Sequence, residues 1–200
     1  VQGSRGIPGD WRNQKAHGGG MVLDWGIHLL DQALRIGEGR KLISVYAELT
    51  NVTNEECDDG FRVTLIFEGD LSMYVEVTTS NFIELPRWYV LGENGSAVIN
   101  DWDLNGEIVK VSDWENRDAV PILAGVGLTK TMAPRTDDTI KHYPLPKVDS
   151  SWTQFYENVF AALRGEEEQL ITHDQQRRLL KLVDAIFESG NENKVVFFDK

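Results

Sequence analysis

The chain has 200 residues, of which 41% are hydrophobic and 26% charged, the balance of a soluble globular protein and not of a disordered tail. With 20 Lys and Arg against 32 Asp and Glu, its net charge of −12 repels phosphate backbones and anionic lipid, which excludes a general nucleic-acid binder and a charge-driven membrane surface. No apolar run approaches the roughly 18–20 residues that span a bilayer, and the single cysteine, Cys57, excludes an internal disulfide and a cysteine-built zinc site, which fits a reducing, cytoplasmic setting. The opening VQGSRGIPGDW carries no initiator Met and no signal-like apolar run, and reads as a cut or processed end with a domain upstream.

Residues 1–20 are Gly-rich and polar, a loop. From there Met21, Leu23, Ile27, Leu30 and Leu34 recur at helical spacing, predicting a helix over 21–36 that ends near Gly37. Alternating Ile43, Val45, Ala47 and Leu49 predict a half-buried strand. Two β-rich runs joined at Glu68, Gly69 and Asp70 predict a hairpin, and a second follows with its turn at Glu93, Asn94 and Gly95. GEIVKVSDW adds a further strand. Over 115–150, Pro121, Pro134, Pro144 and Pro146 break any long element; only IKHYPL looks strand-like, and the remainder reads as a long connection that covers a site. Two helices follow, the first with Trp152, Phe155, Tyr156, Val159, Phe160 and Leu163 on one face, the second capped near Thr172. KVVFF is a short closing strand. The layout predicts an α+β fold in a single domain over 1–200, with an open, predominantly antiparallel sheet and helices packed on one face. Ile66 and Tyr74 fall on the parity opposite to the main apolar rows, so the other sheet face reads as a subunit interface.

The sharpest local signal is GGGMVLDWGIHLLDQ. Asp24 and His28 are spaced i, i+4, one turn apart on one helix face, where a carboxylate beside an imidazole makes a general acid/base pair. The same pair reads equally as ordinary helical packing, or as two metal ligands with His17 as a third; no second cluster of His or carboxylates accompanies it, so no metal is expected. Gly26 and the glycines at 18, 19 and 20 let another backbone or a ligand come close. Arg12, with Trp11 and Lys15 beside it, offers a fork for hydroxyls or carboxylates, or is only a solvated charge. No glycine-rich phosphate loop follows a strand, and no nucleophile-elbow motif occurs.

GGGMVLDWGIHLLDQAL resembles the G-G-G-x-L-x-D-x-G-x-H-x-x-D segment of the glucose–fructose oxidoreductase / inositol dehydrogenase / MocA family, and the resemblance continues through WYVLGENGSAVIN and the terminal helix pair. It covers most of residues 10–198; residues 113–147 match poorly. The resemblance implies the C-terminal substrate-binding and dimerisation domain of an NAD(P)-dependent oxidoreductase whose N-terminal Rossmann domain is not in this chain. It implies hydride transfer between a sugar or cyclitol hydroxyl and NAD or NADP, with His28 as general base and Asp24 orienting it. Trp11, Arg12 and Lys15 would contact substrate hydroxyls. The cofactor-binding residues would lie in the other domain, this chain alone would bind no cofactor and be inert, and the open sheet face would join a homodimer or homotetramer. A glycoside hydrolase of the same family that uses NAD transiently, a non-catalytic binding or assembly module, and a metal-dependent isomerase are the competing readings.

Overall fold

In the computed structural model the described residues are 9–116, 121–130 and 135–198. The expectations for residues 1–8 and the breaker role of Pro134 lie outside them. Among the described residues are three α-helices and ten strands, all strand pairs antiparallel, so the fold is α+β. The chain divides into two compact units, Val1–Glu84 with Ser151–Lys200, and Leu85–Ser150.

The first unit is built on the sheet β10-β1-β2-β3, from β1 (Leu42–Thr50), β2 (Gly60–Phe67), β3 (Ser72–Thr78) and the closing β10 (Val196–Phe197). Its alternation is the one the sequence carries. Val45, Ala47, Phe61, Val63, Leu65 and Val77 point to one face and are buried, and α1 (Ile27–Ile36) and α3 (His173–Glu192) supply Leu30, Leu34, Leu182 and Ile186 to the same core. Each of these Val, Leu, Ile and Phe side chains contributes about 1.5–3 kcal/mol by leaving water. Thr172 caps α3 in a full capping box with Gln175, the cap expected there. The guanidinium of Arg178 on α3 donates to the Leu34 carbonyl at the end of α1, and buried Ser189 accepts from the Ala47 amide at 2.9 Å while donating to the Lys194 carbonyl at 2.6 Å. The helices and the sheet are thus stitched by polar groups as well as by packing.

The opposite face of this sheet is more polar than its apolar count suggests. Glu48, Arg62 and Glu76 stand opposite one another across three strands, with Arg62 Nε 3.1 Å from Glu76 Oε1, and Tyr46, Thr64 and Tyr74 form the next row. Ile66 and Tyr74 are the exposed apolar members.

The second unit carries a separate sheet, β4-β5-β6-β9, of β4 (Trp88–Gly92), β5 (Gly95–Ile99), β6 (Gly106–Val111) and β9 (Ile140–Pro144). The run of strands that reads as one sheet is therefore two, because the segment between β3 and β4, with its exposed Phe82, Ile83 and Pro86, pairs with neither. The stretch expected to be a long connection holds a hairpin, β7 (Pro121–Ala124) and β8 (Gly127–Lys130), turning at Gly125 with φ +62°. Pro121 is the first residue of β7, a strand position that tolerates proline.

Helix α2 (Trp152–Leu163) forms where the periodicity puts it, capped by Ser151. Its apolar stripe, however, is exposed. Trp152 is 90% accessible and Phe155, Tyr156, Phe160 and Leu163 are also exposed, whereas Asn158 and Ala161 are the buried positions. Asn158 holds the following loop by donating to the Glu168 carbonyl and accepting from the Leu170 amide.

Candidate functional site

The site residues named from the sequence sit on a short loop and the helix start that follows it. Asp10 caps a 3-10 turn, Trp11–Asn13, by accepting from the Arg12 amide at 3.1 Å. A second 3-10 turn, Lys15–His17, leads into the glycines. The expected helix over 21–36 is in fact two pieces. Val22–Gly26 is a π turn, closed by the Gly26 amide donating to the Met21 carbonyl at 2.7 Å, and α1 begins only at Ile27. π turns interrupt α-helices mostly at functional sites, and their five-residue closure cannot be told from α periodicity in so short a run.

A closed ring of contacts holds the carboxylate. The Gly20 amide donates to the Arg12 carbonyl at 2.9 Å, the Asp24 amide donates to the Gly20 carbonyl at 3.0 Å, and Asp24 Oδ1 lies 3.7 Å from Arg12 Nε. Arg12 also lies 3.6 Å from Asp10 and stacks 4.6 Å over the Trp11 ring. The structure thus brings together Trp11, Arg12 and Asp24. His28 stands on the first turn of α1 on its exposed side, opposite buried Leu30, Ala33 and Leu34. Among the described residues no hydrogen bond joins it to Asp24. Lys15 and His17 are exposed; His17 bonds Gln14 at 2.8 Å, away from Asp24.

The glycines serve packing rather than ligand approach. A Cβ on Gly19 would run into the Arg12 carbonyl, one on Gly20 into the Asp58 carboxylate, and one on Gly26 would lie 2.8 Å from the Phe61 ring. The space kept open at Gly26 is therefore taken by Phe61. Gly18, Gly19 and Gly20 likewise do not form a phosphate cradle, since protein atoms fill the room that two of the missing side chains leave.

Next to this loop lies an open cleft of about 530 Å³, lined by Arg12, Asn54, Glu55, Glu56, Asp58 and Asp59 among others. Of the named site residues, Arg12 reaches it. The 51–59 segment that forms its other wall escaped the sequence reading, for its acidic run looks like any solvated turn. Its carboxylates divide by burial. Glu55 and Glu56 are exposed, while Asp58 and Asp59 are buried. Burial pushes the Asp58 carboxyl above its ordinary range, offset in part by the hydrogen bond from the Val22 amide. Burial pushes Asp59 up too, but donors from Thr53, Val52 and Thr50 outweigh it and hold Asp59 low. Asn54 ties the walls together, its amide donating to the Asn13 carbonyl at 3.0 Å.

An NAD-binding protein from Listeria innocua of known structure shares 45% identity with this chain over 99% of its length, at a TM-score of 0.88. Over residues 2–98 the chain matches the C-terminal domain of the GFO/IDH/MocA family. A curated relative, the scyllo-inositol 2-dehydrogenase (NADP(+)) IolW of Bacillus subtilis (strain 168), is 21% identical over 193 residues, 94% of this chain and 52% of that protein. The WlbA dehydrogenase of Bordetella pertussis, solved with NADH and UDP-GlcNAcA, shares the fold at 19% identity and a TM-score of 0.64, with all of this chain and 53% of that one aligned. The chain spans about half the length of these GFO/IDH/MocA relatives, 57% in the Listeria innocua case. No described helix is long and apolar enough to cross a membrane.

Proposed function

We propose that this chain is the substrate-binding half of an NAD(P)-dependent dehydrogenase that oxidises or reduces a hydroxyl of a sugar or cyclitol. The observation that carries the reading is the helix start itself: Arg12 and Asp24 linked at 3.7 Å beside an open cleft, with His28 one turn further on a solvent-facing position. The family match and the inositol dehydrogenase relative support the reaction class. The nicotinamide supplies the hydride acceptor or donor, and with no phosphate cradle at residues 18–20 it is held by a nucleotide-binding domain outside this chain.

The residues here handle the proton and the substrate. His28, exposed and free of hydrogen bonds among the described residues, takes the hydroxyl proton as hydride leaves the carbon. Asp24, on the π turn that leads into α1, orients His28 in the substrate complex and balances its charge. Arg12, with Trp11 and Lys15 on the same loop, binds substrate hydroxyls, and its charge is already balanced by Asp10 and Asp24, which suits a neutral polyol. The open face around Ile66 and Tyr74 joins subunits of a homo-oligomer, and a single, buried cysteine, Cys57, suits the cytoplasm. The 200-residue chain alone does not turn over. The test is NAD(P)H formation by the complete polypeptide with a panel of cyclitols and sugars. His28→Ala lowers kcat by about 100-fold, and unchanged turnover assigns the residue to packing and the chain to a non-catalytic role.

A further inference from the structure

Asp58 is 36 residues from Val22 in sequence and 7% exposed, yet it serves both amides that open the π turn. Its carbonyl accepts from the Met21 amide at 3.0 Å, and its Oδ2 accepts from the Val22 amide at 2.8 Å. These are donors that a helix start leaves without partners inside the helix. Gly20, at φ +114°, leaves room for the other carboxylate oxygen, and any side chain there collides with it. The bond that closes the π turn starts from Met21, one of the two residues Asp58 holds, and the Asp24 amide is bound to Gly20, the residue beneath the carboxylate. The two backbone bonds around Asp24, from Gly26 to Met21 and from Asp24 to Gly20, therefore both run to residues packed against Asp58.

We propose that Asp58 is a positioning residue for the Asp24 and His28 pair: its carboxylate and carbonyl clamp the Met21 and Val22 amides, lock the π turn in register, and so fix where both side chains leave the helix. The proposal rests on the dehydrogenase reading for what the pair does. Burial raises the energy of the ionised carboxyl, and the Val22 amide offsets part of that cost. A side chain displaced by about 1 Å from a reacting group costs about 100-fold in rate, so loosening the turn is read in kcat and not in nucleotide binding.

The test compares Asp58→Ala, which loses the acceptor, with Asp58→Asn, which keeps one. In the 200-residue chain, Asp58→Ala speeds hydrogen exchange at the Val22 and Asp24 amides by about 10-fold or more, and leaves core amides such as Val63 and Leu65 unchanged. Asp58→Asn stays within about 3-fold of wild type. In the complete polypeptide, Asp58→Ala lowers kcat by about 10-fold or more with the KM for nucleotide unchanged, and Asp58→Asn restores it. If Asp58→Ala unfolds the chain, seen as all amides speeding up together, Asp58→Glu makes the same comparison with the oxygen displaced by one methylene. Unchanged exchange at Val22 and Asp24 overturns the clamp, and faster exchange with wild-type kcat overturns the positioning role. A wild-type polypeptide without any hydride-transfer activity overturns the dehydrogenase reading and this proposal together, and that control separates the two failures.

Discussion

Arg12 shows how little an ion pair contributes to the fold and how much it can contribute to a site. Its pairing with Asp24 is long and partly solvated, so Arg12→Ala shifts stability by no more than about 0.5 kcal/mol in urea unfolding. In the complete polypeptide the same change raises the substrate KM; an unchanged KM removes Arg12 from the substrate site. Gly26 is the converse case. A methyl group there meets the Phe61 ring, and Gly26→Ala destabilises by about 1–3 kcal/mol, read as a lower Tm. The sequence announces that Gly26 is special, being small between two candidate catalytic residues, but not whether ligand or protein fills the space. Only the pairing of β2 beneath the helix settles that. Asp59 sets a pH dependence. Its folded pKa lies below the ordinary carboxylate value of 3.8, so its contribution is present above that value and lost as pH falls through the folded one. Asp58 has the opposite sign: with its pKa raised, its ionisation costs stability as pH rises from 3.8 through the folded value. Asp59→Asn therefore weakens the fold at neutral pH and flattens the loss below about pH 4, and a variant that unfolds in acid as steeply as wild type contradicts this.

Elements were legible wherever one periodicity dominated. The cap at Thr172, the apolar rows of β1 to β3 and the hairpin turn at Gly69 and Asp70, both at positive φ, follow from local chemistry and form as that chemistry demands. Three features were not legible. The π turn hides in a helical pattern. The division of the strands into two sheets depends on which edges pair, which alternation does not encode. In α2 the apolar stripe is real, but periodicity says only that a face is apolar, not that this chain covers it. The two kinds of helix respond differently to truncation. Leu182→Ala or Ile186→Ala on α3 costs about 2–5 kcal/mol, because both are fully buried, whereas Phe160→Ala on α2 costs well under that. Equal losses at the two helices, measured by denaturant unfolding of the same chain, contradict the packing described above.

At the scale of the molecule, the chain folds as two units, and its candidate site lies wholly in the one formed by its two ends. Of residues 12, 24 and 28, Arg12 lines that cleft, and residues 53–56, 58 and 59 form its other wall; in the proposed dehydrogenase, the hydride partner is held by a nucleotide-binding domain. The sequence made the first set visible because a short motif carries it. It kept the second hidden because Asp58 acts on Val22 across 36 positions with no pattern to mark the pairing. The most direct measurement is steady-state NAD(P)H formation from cyclitols and sugars by the complete polypeptide, beside its His28→Ala variant and the 200-residue chain alone. The account predicts turnover in the first, a rate lower by about 100-fold in the second and none in the third. Full activity in His28→Ala, or turnover by the isolated chain, contradicts it.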